Sequence, residues 1–216
     1  MHAESRPRWL AEADATGICS LCLAADEFEA EYLTGFCREL DESSGAISEF
    51  VAARGFCFDH TRKLEWALGT AHRSLEQALG LYASVLDAVA ADLRQLEEDG
   101  WLHAAACPLC VSRDQHLVVC VHHLMDELSG ARRARRPSPS GGLCIGHFTL
   151  AWEVSAEGAA RGSLRDHQLS ETTDLIERIR SILDGRSVTD EDDRRRAIGA
   201  WKRAEHAVSG WTVTRR

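Results

Sequence analysis

Cys19-Ser20-Leu21-Cys22 followed by Gly55-Phe56-Cys57-Phe58-Asp59-His60, and Cys107-Pro108-Leu109-Cys110 followed by Gly142-Leu143-Cys144-Ile145-Gly146-His147, are two copies of one arrangement. The segments between the halves, 23–56 and 111–143, are nearly equal in length. Each copy offers three thiolates and one imidazole, a complete ligand set for a tetrahedral ion such as zinc. A Cys-x-x-Cys turn lets two sulfurs converge on one ion. A Cys-x-x-His at the start of a helix adds the other two ligands, and first-turn N–H groups and the helix dipole favour the anionic thiolates. The expected sets are therefore Cys19, Cys22, Cys57 and His60 around one ion and Cys107, Cys110, Cys144 and His147 around another. Three thiolates on Zn²⁺ leave a net −1 and a closed site with no vacancy for substrate. Iron–sulfur clusters are the alternative cofactor, because histidine can replace cysteine on iron.

The rest of the composition fits this reading. Eight cysteines in a chain without the basic start and apolar run of a signal peptide point to metal or redox chemistry in a reducing cytoplasm rather than to structural disulfides. No run of about 18 apolar residues is present to span a membrane. A formal net charge of −9 opposes general nucleic-acid binding, which depends on neutralising phosphates. The basic run Arg132, Arg133, Arg135 and Arg136 leaves a local exception open, although the Pro, Ser and Gly that follow read as a solvated linker. The aromatic fraction is only 6% and there are four prolines, a composition that tolerates long helices better than a sandwich of short strands.

Helical periodicity fills the spaces between the ligands. Residues 1–18 form a leader that Trp9 and Leu10 can anchor. Phe28, Tyr32, Leu33, Phe36 and Leu40 then recur at helical spacing, and a short return helix through Ile47, Phe50 and Val51 leads to Gly55, which frees the backbone to turn before Cys57. The clearest seam is Leu64, Leu68, Ala71, Leu75, Leu79, Tyr82, Leu86, Val89, Leu93 and Leu96. It predicts a helix over 61–98, roughly 55 Å long if straight, against a radius of gyration of about 17 Å for a compact chain of this size. Such a helix spans the molecule, protrudes or kinks, with Gly69 and Gly80 as weak points. In the second copy Leu117, Val118, Val121, Leu124, Met125 and Leu128 make one face. A segment after His147, weakened at Gly158 and Gly162, carries Leu164, Leu169, Leu175, Ile176, Ile179, Ile182 and Leu183. A last helix from Thr189 to about Val208 is expected to bury Ile198, Trp201 and Val208.

The predicted fold is all-α: an elongated helical bundle of two duplicated Cys₃His modules, 1–100 and 101–185, with a C-terminal helix in 186–216. The two ions are expected at opposite ends, held apart by the long helix. Cys37 and Cys120 are left over; both read as buried thiols, with His116 one turn from Cys120 as the competing metal or redox arrangement. His72 and His103 read as surface or satisfied core residues. Glu27 and Glu31 share a helix face, as in di-iron bundles, but no Glu-x-x-His follows. No phosphate loop, nucleophile elbow or Ser/His/Asp set is present, so no catalytic or organic-cofactor residue is assigned.

The ligand positions, with Glu29-Ala30-Glu31-Tyr32-Leu33 and Trp201, resemble a bacterial family, a domain of unknown function, with a duplicated C-P-x-C … G-x-C-x-x-H pattern. The resemblance covers about residues 17–210. It departs at the first Cys pair, which has Ser20 in place of Pro, and in the basic loop 132–142. It implies the fold and the metal sites and supplies no activity. The function expected is a non-enzymatic interaction or regulatory protein with two structural zinc ions and an unknown protein partner. The alternative is a redox or metal-stress sensor, or an electron carrier.

Overall fold

In the computed structural model, residues 7–41, 45–73, 75–95, 105–129, 142–155, 158–184 and 191–209 are described. Among them every regular element is helical: α1 (Arg8–Thr16), α2 (Ser20–Arg38), a 3₁₀ turn (Glu39–Asp41), α3 (Gly45–Ala52), α4 (Phe58–Thr70), α5 (Leu75–Gln95), α6 (Pro108–Ser129), α7 (Ile145–Val154), α8 (Ala159–Asp184) and α9 (Glu191–Ser209). The chain is all-α, as its periodicity predicts. The basic run at 132–136, His103, Ser43, Ser44 and Leu96 lie outside the described residues. No helix among the described residues is long and apolar enough to cross a membrane.

The chain clusters into two compact units that do not follow the sequence copies. One comprises 1–26 and 117–216; the other comprises 27–116. The boundaries fall inside α2 and α6, so each of these helices contributes residues to both units. Each unit has its own apolar core. In the first, Trp9 and Leu10 of α1 pack with Leu21 and Ala24 of α2, Leu117, Val121, Leu124 and Leu128 of α6, and Leu164 of α8. The leader is thus a helix seated in a core, closed by Gly17 at φ 68°, whose N–H donates to the Ala13 carbonyl at 2.8 Å.

In the second unit, Leu33 and Phe36 of α2 meet Phe50 of α3, Phe56 of the following turn, Leu64 and Leu68 of α4, and Leu81 and Val85 of α5. Phe36, Phe50 and Phe56 form an aromatic cluster with ring centroids 4.8–5.3 Å apart. Gly55 has φ 96°, and its N–H donates to the Phe50 carbonyl at 2.8 Å, which makes the expected tight turn.

Three expectations about helix faces are corrected. The segment 61–98 is not one helix. It breaks just beyond Gly69, where His72 adopts φ 51° and the Arg73 N–H reaches back to the Leu68 carbonyl at 3.0 Å, while Gly80 stays inside α5. That left-handed residue with its six-residue back-bond is a helix terminator. The break frees α5 to turn about its own axis. It buries Leu81 and Val85 and leaves the expected seam residues Leu75, Leu79, Leu86 and Leu93 at 73, 60, 66 and 53% exposure.

In the second copy α7 ends at Val154 with Ser155 extended, Gly158 has φ 94° just before α8, and Gly162 lies within α8. There Leu164 is buried, and Leu169 and Leu183 are exposed. The last helix also inverts its expected face: Ala200 is buried, while Ile198, Trp201 and Val208 are exposed. Ala197, Ala204 and Ala207 lie at helical spacing from Ala200 and are half-buried, and α9 packs against α7 and α8.

Candidate metal centres

The eight predicted ligands gather into two clusters, but crosswise. Site 1 is Cys19, Cys22, Cys144 and His147; site 2 is Cys57, His60, Cys107 and Cys110. Each Cys-x-x-Cys pair meets the Cys-x-x-His of the other copy. The within-copy grouping is therefore corrected, and the reason is helix length. α2 carries the chain about 28 Å from the first Cys pair, whereas α3 returns it only about 12 Å at 1.5 Å per residue. Cys57 and His60 therefore arrive partway along α2, where the His60 ring Nε2 lies 3.1 Å from Oε1 of Glu29. Site 1 lies within the unit containing α1 and α7–α9, and site 2 within the unit 27–116.

The local architecture of the half-sites is the same in both. Cys57 and Cys144 are the residues immediately preceding α4 and α7, with extended ψ of 168° and 159°, and each carbonyl accepts the first helical bond, from Thr61 and Phe148, at 2.8 Å. Each histidine follows one turn later. In the facing half-sites, Cys19 and Cys107 begin the turns into α2 and α6, their carbonyls accepting from the N–H groups of Leu23 and Val111 at 3.2 and 3.1 Å. Every thiolate thus sits at the positive end of a helix. The glycines two residues before the third cysteine serve different needs. Gly55 supplies a positive φ. Gly142 supplies room, since a Cβ there would lie 3.1 Å from Cβ of Glu171.

In each cluster the imidazole Nδ1 faces all three sulfurs. In site 1 it lies 3.4, 3.2 and 3.4 Å from Cys19, Cys22 and Cys144. In site 2 the distances are 3.3, 3.5 and 3.4 Å to Cys57, Cys107 and Cys110. The sulfurs of Cys22 and Cys144, and those of Cys57 and Cys110, are 3.8 Å apart. One ring nitrogen cannot serve three hydrogen bonds at once; this is the edge pattern of a tetrahedron of ligands.

The charges press in the same direction. Hydrogen bonds from Cys19 and Cys22 push the Cys144 thiol far down, while Cys144 and Cys19 push the Cys22 thiol far up. His147 is raised to about 9, its burial outweighed by Cys144 and Cys19. In site 2 burial raises Cys107, but backbone N–H groups near Cys57 and Cys110 and the His60 ring bring it to about 7. Such donor sets concentrate anionic charge that a divalent cation neutralises.

Site 2 has a further component, Glu29, which is buried at 4% exposure. With Nδ1 turned to the sulfurs, His60 Nε2–H donates to Glu29 Oε1. Lys63 donates to Oε2, and Arg113 lies 3.5 Å from Oε1. Burial raises the Glu29 carboxyl, yet the hydrogen bonds from His60 and Lys63 hold it down at about 2. A carboxylate behind a ligating histidine fixes its tautomer and orientation. The sequence places Glu29 in the segment that carries the family resemblance but gives it no role at the site, although the signal is present: Glu29 is in phase with Leu33 and Phe36 on the buried stripe of α2, and an acid there requires partners.

Among the described residues, the remaining candidates belong to neither cluster. Cys37 and Cys120 are buried at 0 and 2% exposure, and burial pushes the Cys37 thiol up. His116 stacks on Phe28 with ring centroids 4.5 Å apart, and neither it nor Cys120 belongs to a group of three or more metal-holding side chains among the described residues. Among the described residues, Glu27 and Glu31 belong to no metal-holding group. Compared with known proteins, the chain matches no family model, none of the curated proteins and none of the solved structures.

Proposed function

We propose that this is a non-enzymatic helical zinc protein in which two Cys₃His sites each hold one structural Zn²⁺, and that its role is interaction with, or regulation of, a protein partner in the cytoplasm. The ligand separations carry the reading. Metal–sulfur bonds of about 2.3 Å at tetrahedral angles place sulfurs about 3.8 Å apart, and the two clusters have sulfur pairs at 3.8 Å with Nδ1 at 3.2–3.5 Å. An iron–sulfur cluster interposes several irons between its cysteines and separates them further. Four protein ligands fill each tetrahedron, which leaves no open position for substrate.

The overall charge of −9 favours a protein over a nucleic acid as partner. Exposed apolar side chains such as Leu79, Leu86 and Trp201 are of the kind that a protein partner covers. The resemblance to the duplicated C-P-x-C … G-x-C-x-x-H family agrees with the same plan.

Metal analysis of anaerobically purified protein tests the zinc reading. The expected result is colourless protein with two zinc ions per chain that loses helical circular dichroism when chelated. Iron with visible absorption would replace the reading with the iron–sulfur alternative.

A further inference from the structure

Burial divides the two sites in opposite ways. In site 1, Cys19, Cys22 and Cys144 expose 2, 5 and 2% of their surface, and His147 is half-buried. In site 2 the histidine is the buried ligand, at 3%, and Cys57, Cys107 and Cys110 are all half-buried. His60 is held from behind by Glu29, so the ligands of site 2 that keep solvent exposure are its three cysteines. Susceptibility of a cysteine to oxidation follows thiolate character and access. A zinc-bound cysteine is a thiolate in either site, and site 2 alone keeps all three of its cysteines part-exposed. The ligand atoms of site 2 lie within 4.8 Å of one another, so a disulfide needs only local movement.

We propose that Cys57, Cys107 and Cys110 form an oxidant-responsive site that releases its zinc on reaction with a hydroperoxide, while Cys19, Cys22 and Cys144 retain theirs. This rests on the zinc reading above. One thiolate attacks the hydroxyl oxygen of the hydroperoxide: an S–O bond forms, the O–O bond breaks, and hydroxide or alkoxide leaves with the bonding pair. A second thiolate of the set attacks the sulfenic sulfur: an S–S bond forms, the S–O bond breaks, and hydroxide leaves. The two sulfurs together lose two electrons and the peroxide gains them. One thiolate and His60 remain, too few ligands to keep the ion. The competing route is a cavity of about 240 Å³ in the first unit, bordered by Cys19, Asp14, Glu171 and Arg203. Cys19 itself is only 2% exposed.

The test uses the full zinc-loaded chain without any substitution. Hydrogen peroxide is added with a chromogenic zinc indicator present, and free thiols are alkylated and mapped by mass spectrometry when the first ion has left. One zinc per chain is expected to leave at least about tenfold faster than the second. The first disulfide is expected to join two of Cys57, Cys107 and Cys110. Loss of both ions in one phase, a first disulfide among Cys19, Cys22 and Cys144, or no release before global unfolding would each overturn the proposal. Protein that lacks two zinc ions before peroxide is added refutes the zinc reading itself. Two-zinc protein that releases both together refutes only this inference.

Discussion

Sites 1 and 2 use the same four ligands and the same helix starts, yet their surroundings differ in kind. Site 1 hides its sulfurs among apolar residues of the first core, including Leu21, Leu117 and Leu143. Site 2 hides its histidine behind a carboxylate with two cations and leaves its cysteines only half-buried. The contrast can be traced to one pair of positions. Aligning Cys22 with Cys110 places Glu29 on Leu117. In one copy the position holds an acid that orients a ligand; in the other it holds a leucine at 3% exposure in the core. The identical ligand chemistry is thus supported by packing in one site and by a charged hydrogen-bond network in the other.

The sites also differ in what they close. Cys22 and Cys144 are 122 residues apart in the chain, whereas Cys57 and Cys110 are 53 apart and lie inside that span. Closing the longer loop in an unfolded chain costs about 0.7 kcal/mol more, from the logarithmic dependence on length. Once site 2 has formed, the outer loop is effectively shortened, so the nested arrangement favours site 2 first and site 1 second.

The largest effect expected is from removing a ligand of site 1. Cys144→Ser should reduce zinc from two ions per chain to one and melt much of the unit that holds α1 and α7–α9, a loss above about 4 kcal/mol. The matching Cys57→Ser should also remove one zinc and act on the unit 27–116. Limited proteolysis with metal analysis distinguishes the two. If either substitution emptied both sites, the division into independently fastened units would fail.

Next in size is the pair that defines the contrast. Leu117→Ala should cost about 2–5 kcal/mol in denaturant unfolding, because it leaves a cavity in a packed core, with both zinc ions retained. Glu29→Gln preserves shape but weakens the charged network behind His60. It should lower zinc affinity at site 2 by about 10–100-fold in competition with a chelator while leaving site 1 unchanged. Equal weakening at both sites would show that Glu29 acts on general stability rather than through His60.

Much of this arrangement was readable in the chain, and the failures have physical causes. Ligand identity and the buried stripe of α2 were legible because both are local: a spacing in the first case, a 3.6-residue period in the second. The crosswise pairing was not, because it depends on comparing the lengths of α2 and α3, and the repeat invites grouping by copy. The face of α5 was misread because one period was carried through His72, where the chain leaves the helix and begins another with a new rotation. The face of α9 was misread because its bulkiest residues, Ile198 and Trp201, were assumed to be inside, whereas it is Ala200 that is buried there. Glu29 is in phase with buried leucine and phenylalanine, and that conflict between charge and period was the available clue.

The smallest effects should come from the two cysteines outside both ligand clusters, one in each core. Cys120 is packed among Leu117, Val121 and Leu124 of the first unit, and Cys37 beside Phe36 in the second. Each is buried as deeply as a site 1 sulfur, so burial alone does not make a ligand; convergence with three other donors does. Cys120→Ala and Cys37→Ala each remove one sulfur from a packed interior and should cost about 1 kcal/mol in denaturant unfolding. Zinc should stay at two ions per chain, and the order of release under peroxide should be unchanged. If Cys120→Ala lowered the zinc content, the ligand set of site 1 would be larger than four. If Cys37→Ala slowed release from site 2, an interior thiol would be resolving its sulfenic acid, and half-exposure of the three ligands would no longer account for the difference between the sites.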